Sequence, residues 1–198
     1  MANLVPMVLN RTSEGERSMD LYSRMLQDRI VFMTGQVDDN MAELLSAQLL
    51  YLDNDSDEDI HVYIHSPGGS VDAGMVIYNT MLMARSDIVT TVTGMAASMG
   101  SFIAACGGTK GKRYMLDQTQ HMIHQPLGGF NGQSSDIEIH AEHIVQTRSK
   151  LENIYAKATG KSVEEVHAAC DRDNFLTPQE SLDFGLCDEV LVPGQGSK

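Results

Sequence analysis

A unit made of a buried strand, a glycine-containing turn and a helix occurs twice in succession in this 198-residue chain. The first unit runs from a strand at residues 60–64 through the turn at residues 66–69 to an amphipathic segment at residues 71–84. The second has a β-branched strand at residues 88–93, a turn of small residues, and a helix-compatible segment at residues 98–105. Strands that alternate with helices predict an α/β fold with parallel strands joined by helical crossovers.

The rest of the chain extends this pattern within a single domain, since no linker or low-complexity segment interrupts it. Residues 11–17 are polar and charged without periodicity, so we predict that residues 1–18 form an arm without a core of its own, with order beginning near Ser18. The other predicted strands are at residues 30–33, 113–116, 122–124 and 186–192. The other predicted helices follow caps at Ser18, Asp38, Ser162 and Thr177, and the longest occupies residues 136–159 before Gly160.

Charge and cysteine content exclude several classes of protein. The net charge is −13, which repels nucleic acids and anionic membrane surfaces. No apolar stretch is long enough to span a membrane, and the N-terminus lacks the layout of a signal peptide. The three cysteines are widely spaced and form no zinc or disulfide pattern. We therefore expect a cytoplasmic protein without a metal site.

A serine at a tight turn is the strongest candidate for chemistry. Residues 94–100, Gly-Met-Ala-Ala-Ser-Met-Gly, place Ser98 between a strand and a helix, among small neighbours that a substrate can approach. The following helix would direct free amides toward Ser98. The alternative is that the small residues merely permit close helix packing.

The turn at residues 66–69, Ser-Pro-Gly-Gly, is a second amide-rich turn that leads into a helix. Two such turns on neighbouring strands would suit an oxyanion hole. The segment matches neither the phosphate-binding loop nor the dinucleotide fingerprint. An ordinary Pro-Gly β-turn remains an alternative.

A serine nucleophile needs a base and an orienting carboxylate. Of the seven histidines, His124 is best placed, because it ends an apolar strand at a turn. On that strand His121 would point to the opposite face. His140 and His143 share a helix face with Asp136, but a solvated face is the simpler interpretation than a metal site. The candidate carboxylates left open by spacing are Asp117, Asp136, Asp171, Asp173 and Asp188.

At these motifs the chain resembles the proteolytic subunits of the Clp protease family, over residues 4–192. Six collinear segments carry the resemblance: residues 15–24 (GERSMDLYSR), 28–32 (DRIVF), 66–69 (SPGG), 94–100 (GMAASMG), 122–126 (MIHQP) and 171–176 (DRDNFL). The resemblance implies a serine endopeptidase in which Ser98 is the nucleophile, His124 the general base and Asp173 the orienting carboxylate. It also assigns the oxyanion hole to the backbone amides of Gly69 and Met99.

The same resemblance implies a crotonase-like spiral of strand-strand-helix units and an assembly of two stacked heptameric rings. The helix at residues 136–159 would be the handle that joins the rings, with Gln133, Asp171 and Arg172 at the ring contacts. Residues 1–18 would form axial gating loops and residues 194–198 a disordered tail. A hexameric AAA+ ATPase would use the ATP, deliver unfolded proteins and dock near Tyr63 and Tyr114, so no cofactor is expected in this chain.

Two departures from the family pattern lie near the substrate groove. His65 stands where the family usually has Asn, and Asp117-Gln118 replaces the usual Pro-Asn. Both leave the predicted triad intact but put side-chain preference in question. Two other functions compete with an active peptidase: a silent ring subunit that assembles with an active paralogue, and an acyl-CoA hydratase or isomerase on the same fold.

Overall fold

The computed structural model describes residues 5–12, 15–192 and 194. Its strands are β1 (Met7–Thr12), β2 (Gly15–Asp20), β3 (Ile30–Thr34), β4 (Ile60–Ser66), β5 (Ile88–Ala97), β6 (Arg113–Leu116), β7 (Gln120–Ile123), β8 (Asn174–Leu176) and β9 (Glu189–Leu191). Its helices are α1 (Leu21–Gln27), α2 (Asp39–Asp55), α3 (Val71–Met83), α4 (Met99–Phe102), α5 (Ser134–Thr159), α6 (Val163–Ala169) and α7 (Pro178–Phe184). A π-helical turn (Ile103–Gly107) continues α4.

A seven-stranded sheet organises the fold and confirms the α/β prediction. Strands β3, β4, β5, β6 and β9 lie side by side in that order, and every pair is parallel. Helices α2 and α3 and the π-helical turn contribute apolar side chains that pack with the strands, among them Leu49, Ile77 and Ile103. Burying these large side chains supplies the main stabilisation of the domain.

Strand β5 pairs with two different strands along its length. This brings the turn at Ser98, after β5, next to the turn at His124, after β7. Residues 90–92 pair with β6, whereas residues 95–97 pair with β7. The prediction ended this strand at residue 93, with residues 94–97 in a turn, but the strand continues to Ala97. The small side chains of Ala96 and Ala97 are buried. The segment that was predicted to be a turn therefore forms the end of the strand.

The N-terminal segment contradicts the predicted start of order near Ser18. Strands β1 and β2 form an antiparallel hairpin that begins at Met7. Its described side chains are exposed or partly buried, so backbone pairing rather than burial of apolar side chains stabilises it. Ser18 lies within β2, and Asp20 caps α1 by accepting a hydrogen bond from the Ser23 amide at 3.0 Å.

The other predicted helix starts agree more closely with the structure. Asp38 caps α2, and Ser162 and Thr177 cap α6 and α7 in reciprocal capping boxes. Helix α5 begins at Ser134, two residues before the predicted residue 136, and ends at the left-handed Gly160 as predicted. Its first half is largely exposed, while Leu151 and Tyr155 of the second half enter the core.

Strand β8 was not predicted, because three residues give no periodic pattern. It pairs with β7 in the only antiparallel step among the described strands of the main sheet. The predicted tail at residues 194–198 lies outside the described residues apart from Gly194, and residues 1–4 of the predicted arm lie outside them as well.

Candidate active site

Ser98 occupies a strained turn at the end of β5. Its φ of +54° and ψ of −122° lie in a region that non-glycine residues seldom adopt. The turn is held by a hydrogen bond from the Ser98 amide to the Met122 carbonyl at 2.8 Å, which ties it to β7. Gly68 packs so closely that an added Cβ would lie 2.7 Å from Ser98 Cβ. Such over-determined strain is typical of functional sites.

Ser98, His124 and Asp173 form one continuous hydrogen-bonded chain. His124 Nε2 lies 2.9 Å from Ser98 Oγ, and His124 Nδ1 lies 2.8 Å from Asp173 Oδ1. The imidazole is mostly buried, whereas the side chain of Asp173 is 63% exposed. A neutral imidazole with its proton on Nδ1 would donate to Asp173 and accept from Ser98.

Sheet register explains how these three residues meet. Strands β5 and β7 are parallel, so the residues after their carboxyl ends are neighbours. In the antiparallel pair of β7 and β8, Ile123 faces Asn174, so the next position along places His124 opposite Asp173. The sequence gives no signal for β8, which is why reasoning from the residues left five carboxylates open.

The other four carboxylates lie elsewhere. Asp188 forms an ion pair with the buried Arg113, whose Nη2 is 2.6 Å from Asp188 Oδ1. Burial opposes ionisation of Asp188, but the hydrogen bonds and charge of Arg113 outweigh it and lower the pKa of Asp188. Asp171 is an exposed residue beside Arg148. Asp117 contacts the neighbouring Gln118, and Asp136 lies in the exposed first turn of α5.

The turn at residues 66–69 packs against the Ser98 turn, as expected for an oxyanion hole. Ser66 Oγ donates to the Gly35 carbonyl at 2.6 Å and accepts from the Gly68 amide at 3.1 Å. Gly69 pairs with Val37, and its φ of +156° with a contact of 2.2 Å from an added Cβ to the Val37 carbonyl requires glycine. Neither the Gly69 nor the Met99 amide donates to another residue of the described ranges.

A pocket opens beside Ser98 and His124. Its apolar wall consists of Val71, Met99, Phe102, Pro126, Leu151, Tyr155 and Cys170. Gln125, Arg148 and Glu152 add polar groups, which the sequence reasoning missed although Arg148 and Glu152 have the i, i+4 spacing of a helical ion pair. Burial raises the pKa of the Cys170 thiol to about 12, so this cysteine is not a second nucleophile at neutral pH.

A second serine–histidine pair lies in the core beneath the first. Ser101 Oγ is 2.7 Å from His121 Nδ1, and the two residues are 0% and 1% exposed. His121 Nε2 has no hydrogen-bond partner among the described residues. Burial, reinforced by the charge of Arg113, lowers the pKa of His121 to about 4. As expected, His121 and His124 serve opposite faces of their strand.

The remaining predicted residues are not members of the hydrogen-bonded chain of Ser98, His124 and Asp173. Tyr63 stacks on Phe32 with ring centroids 5.9 Å apart, and Tyr22 meets the other side of Phe32 edge-on. Tyr114 is partly buried on β6. The exposed Gln133 precedes α5, and the side chain of Arg172 is 91% exposed next to Asp171.

Two features singled out in the sequence take structural roles. His65 Nδ1 accepts a hydrogen bond from the Met95 amide at 3.1 Å, which joins β4 to β5 just before the Ser98 turn. His140 stacks on Phe130. Across the described ranges, no group of three His, Cys, Asp or Glu side chains is arranged to share a metal ion. No described helix has the length and apolar character that a bilayer span requires.

We compared the chain with models of known protein families. A family model described as Clp protease matches residues 13–194, which is nearly the whole chain. The matched range includes the serine turn, the histidine strand and the segment that carries Asp173. The parallel sheet and the helices that connect its strands agree with the family fold. The chain therefore belongs to the Clp protease family, as one of its proteolytic subunits.

Proposed function

We propose that this chain is an active serine endopeptidase in which Ser98 is the nucleophile, His124 the general base and Asp173 the orienting carboxylate. The observation that carries the proposal is the hydrogen-bonded chain from Ser98 Oγ through His124 to Asp173 Oδ1, at 2.9 and 2.8 Å. Nucleophile, base and orienting group at these distances are the arrangement that serine acyl transfer requires.

In the proposed mechanism, Ser98 Oγ attacks the carbonyl carbon of a peptide bond while His124 Nε2 takes the hydroxyl proton. Asp173 holds the imidazole in the required orientation and stabilises the imidazolium that forms. The amides of Gly69 and Met99 would stabilise the oxyanion of the tetrahedral intermediate. His124 then protonates the leaving amine, and a water molecule activated by the same histidine hydrolyses the acyl-enzyme.

The pocket beside Ser98 supports cleavage next to apolar side chains. Its wall is mostly apolar, and it opens directly at the nucleophile. A pocket of this kind discriminates weakly among apolar residues of similar size. The proposed substrates are accordingly unfolded polypeptides, cut into short peptides with loose specificity.

The proposed assembly is two stacked heptameric rings that enclose a chamber. The exposed first half of α5 carries large apolar side chains, among them Ile139 and Val145, which suit burial against a second ring. Gln133, Asp171 and Arg172 are exposed and are available for ring contacts.

The proposed partner is a hexameric AAA+ ATPase that uses the ATP and feeds unfolded chains to the chamber. Tyr22 and Phe32 line an apolar pocket at the outer edge of the sheet, where such a partner would dock, and Tyr63 stacks on Phe32. Tyr114 is a second candidate contact. The three buried, unpaired cysteines agree with a reducing compartment such as the cytoplasm.

Hydrolysis of fluorogenic peptides by the purified protein tests the catalytic proposal. The Ser98→Ala variant is expected to lose at least about 10⁴-fold in kcat, while the matched Ser101→Ala variant stays within a few-fold of the parent. Equal activity of the parent and Ser98→Ala would refute the assignment. A parent protein that is assembled but inactive alone would instead favour the silent ring subunit.

A further inference from the structure

Arg148 lies next to the catalytic chain, on the side of α5 that faces the domain. Its Nε donates to Glu152 Oε1 at 2.7 Å, and its Nη1 donates to Gln125 Oε1 at 2.8 Å. Gln125 directly follows His124 in the chain. One guanidinium group therefore joins the helix to the segment that carries the proposed base.

The same guanidinium reaches the segment that carries Asp173. Arg148 Nη2 lies 3.9 Å from Asp171 Oδ1. Gln125 strengthens this link, because its side-chain amide donates to the Asp171 carbonyl at 2.7 Å and its backbone amide donates to the Cys170 carbonyl at 2.6 Å. Arg148 and Gln125 thus connect the two segments on which His124 and Asp173 are carried.

Such a link is needed because burial does not hold Asp173 in place. Its side chain is 63% exposed, and His124 is the one hydrogen-bond partner of its carboxylate within the described ranges. Strand β8, which follows Asp173, is three residues long. An exposed carboxylate on a short strand keeps its orientation only where neighbouring groups fix the backbone on both sides.

Arg148 is itself held by a buried counter-ion. Glu152 is 7% exposed, and its Oε1 also lies 2.9 Å from His167 Nδ1. His167 Nε2 in turn lies 3.3 Å from Arg148 Nη2 and accepts from it. Glu152 on α5 and His167 on α6 hold the Arg148 guanidinium, which therefore has little freedom to leave Gln125.

We propose that Arg148 is a positioning residue that sets the alignment of His124 with Asp173 by connecting α5 to both of their segments. The inference rests on the proposed peptidase function. Misplacing a catalytic group by about 1 Å costs on the order of 100-fold in rate. The loss appears in kcat because the small peptide substrate is still bound, and Arg148 does not contact the reacting atoms.

The test compares Arg148→Met with Lys150→Met, which removes an exposed lysine from the same helix. For Arg148→Met we expect kcat on a fluorogenic peptide to fall tenfold or more, with KM within twofold of the parent and an unchanged sedimentation mass. Arg148→Lys, which keeps the charge but can reach one partner at a time, should recover part of the loss. Lys150→Met should match the parent.

A kcat for Arg148→Met within twofold of the parent would overturn the inference, as would a rise in KM at constant kcat, since that pattern belongs to substrate binding. If Arg148→Met does not assemble, Gln125→Met carries the same test from the other end of the link. The rate of fluorophosphonate labelling separates the two proposals. A parent that takes no label contradicts the peptidase function, whereas a parent and Arg148→Met that label equally fast contradict this inference alone.

Discussion

Within the described residues, two serine–histidine pairs have nearly equal hydrogen-bond distances but different surroundings. Ser98 and His124 are 2.9 Å apart at the mouth of a pocket, while Ser101 and His121 are 2.7 Å apart in the core. Each member of the second pair lies three residues from its counterpart in the first. Residue type and pair distance alone therefore do not define the site.

Three features distinguish the outer pair, Ser98 and His124, from the inner pair, Ser101 and His121. His124 has a carboxylate on its second nitrogen, whereas His121 Nε2 has no partner among the described residues. Ser98 has a strained backbone, and the nearby amides of Gly69 and Met99 donate to no other described residue. The outer pair is also open to a substrate. In the proposed mechanism, access, the orienting carboxylate and the oxyanion donors distinguish the outer pair from a structural serine–histidine contact.

The largest effect should come from the carboxylate that the inner pair lacks. We expect Asp173→Asn to lower kcat by about 10³- to 10⁴-fold, because the amide no longer stabilises the imidazolium or fixes its tautomer. The matched change Asp188→Asn breaks an ion pair with the buried Arg113 and should cost about 3 kcal/mol of unfolding free energy. Peptide hydrolysis and urea unfolding of both variants measure the two effects.

The expected pattern is that Asp173→Asn loses activity and Asp188→Asn loses stability. If Asp173→Asn unfolded as readily as Asp188→Asn while retaining its activity, the exposed carboxylate would have a structural role, and the distinction between the two serine–histidine pairs would lose its main support.

The next prediction compares Gly68, which is packed closely behind Ser98, with Gly111, which has open space around it. An alanine Cβ at Gly68 would lie 2.6 Å from the Ala97 carbonyl and 2.7 Å from Ser98 Cβ, whereas at Gly111, also at positive φ, it would meet nothing within 4 Å. We expect Gly68→Ala to reduce kcat by about 10³-fold by displacing the nucleophile and the neighbouring amides. Gly111→Ala should cost about 1 kcal/mol of stability and leave peptide hydrolysis intact. Equal activity of the two variants would argue against a turn fixed by packing.

The smallest expected effect is the pH dependence of the free energy of unfolding that arises from His121 of the inner pair. The folded chain keeps His121 neutral down to its pKa of about 4, while the unfolded chain binds a proton below about pH 6.5. The free energy of unfolding should therefore fall by about 3 kcal/mol between pH 6.5 and 4 on account of this residue, with no further loss below pH 4. Unfolding of the parent and His121→Val at several pH values measures the slope. A variant with the parent's slope would contradict a buried, neutral His121.

Much of this arrangement could be predicted from the sequence. The alternation of strands and helices, the caps at Asp38, Ser162 and Thr177, and the turns at Ser98 and residues 66–69 all depend on local patterns, and the structure agrees with them. His124 was also correctly placed at the end of its strand, next to Ser98.

The contacts that complete the site depend on long-range register, which local patterns do not encode. Asp173 meets His124 across a three-residue strand, and the N-terminal hairpin is paired through its backbone while its apolar side chains Met7 and Leu9 stay exposed. Asp173 was selected through family resemblance and not from its own surroundings in the sequence. Arg148 was missed because its partners lie 23 residues earlier in the loop after His124 and 23 residues later beside Asp173.

Covalent labelling of the purified protein tests the central claim most directly. Attack by Ser98 Oγ on a fluorophosphonate displaces fluoride and leaves the phosphonyl group on the enzyme, which intact-mass and peptide-mapping measurements can locate. The account predicts one adduct per subunit, on Ser98, none on Ser101, and none at all in Ser98→Ala. An adduct that persists in Ser98→Ala, or one mapped to Ser101, would contradict it.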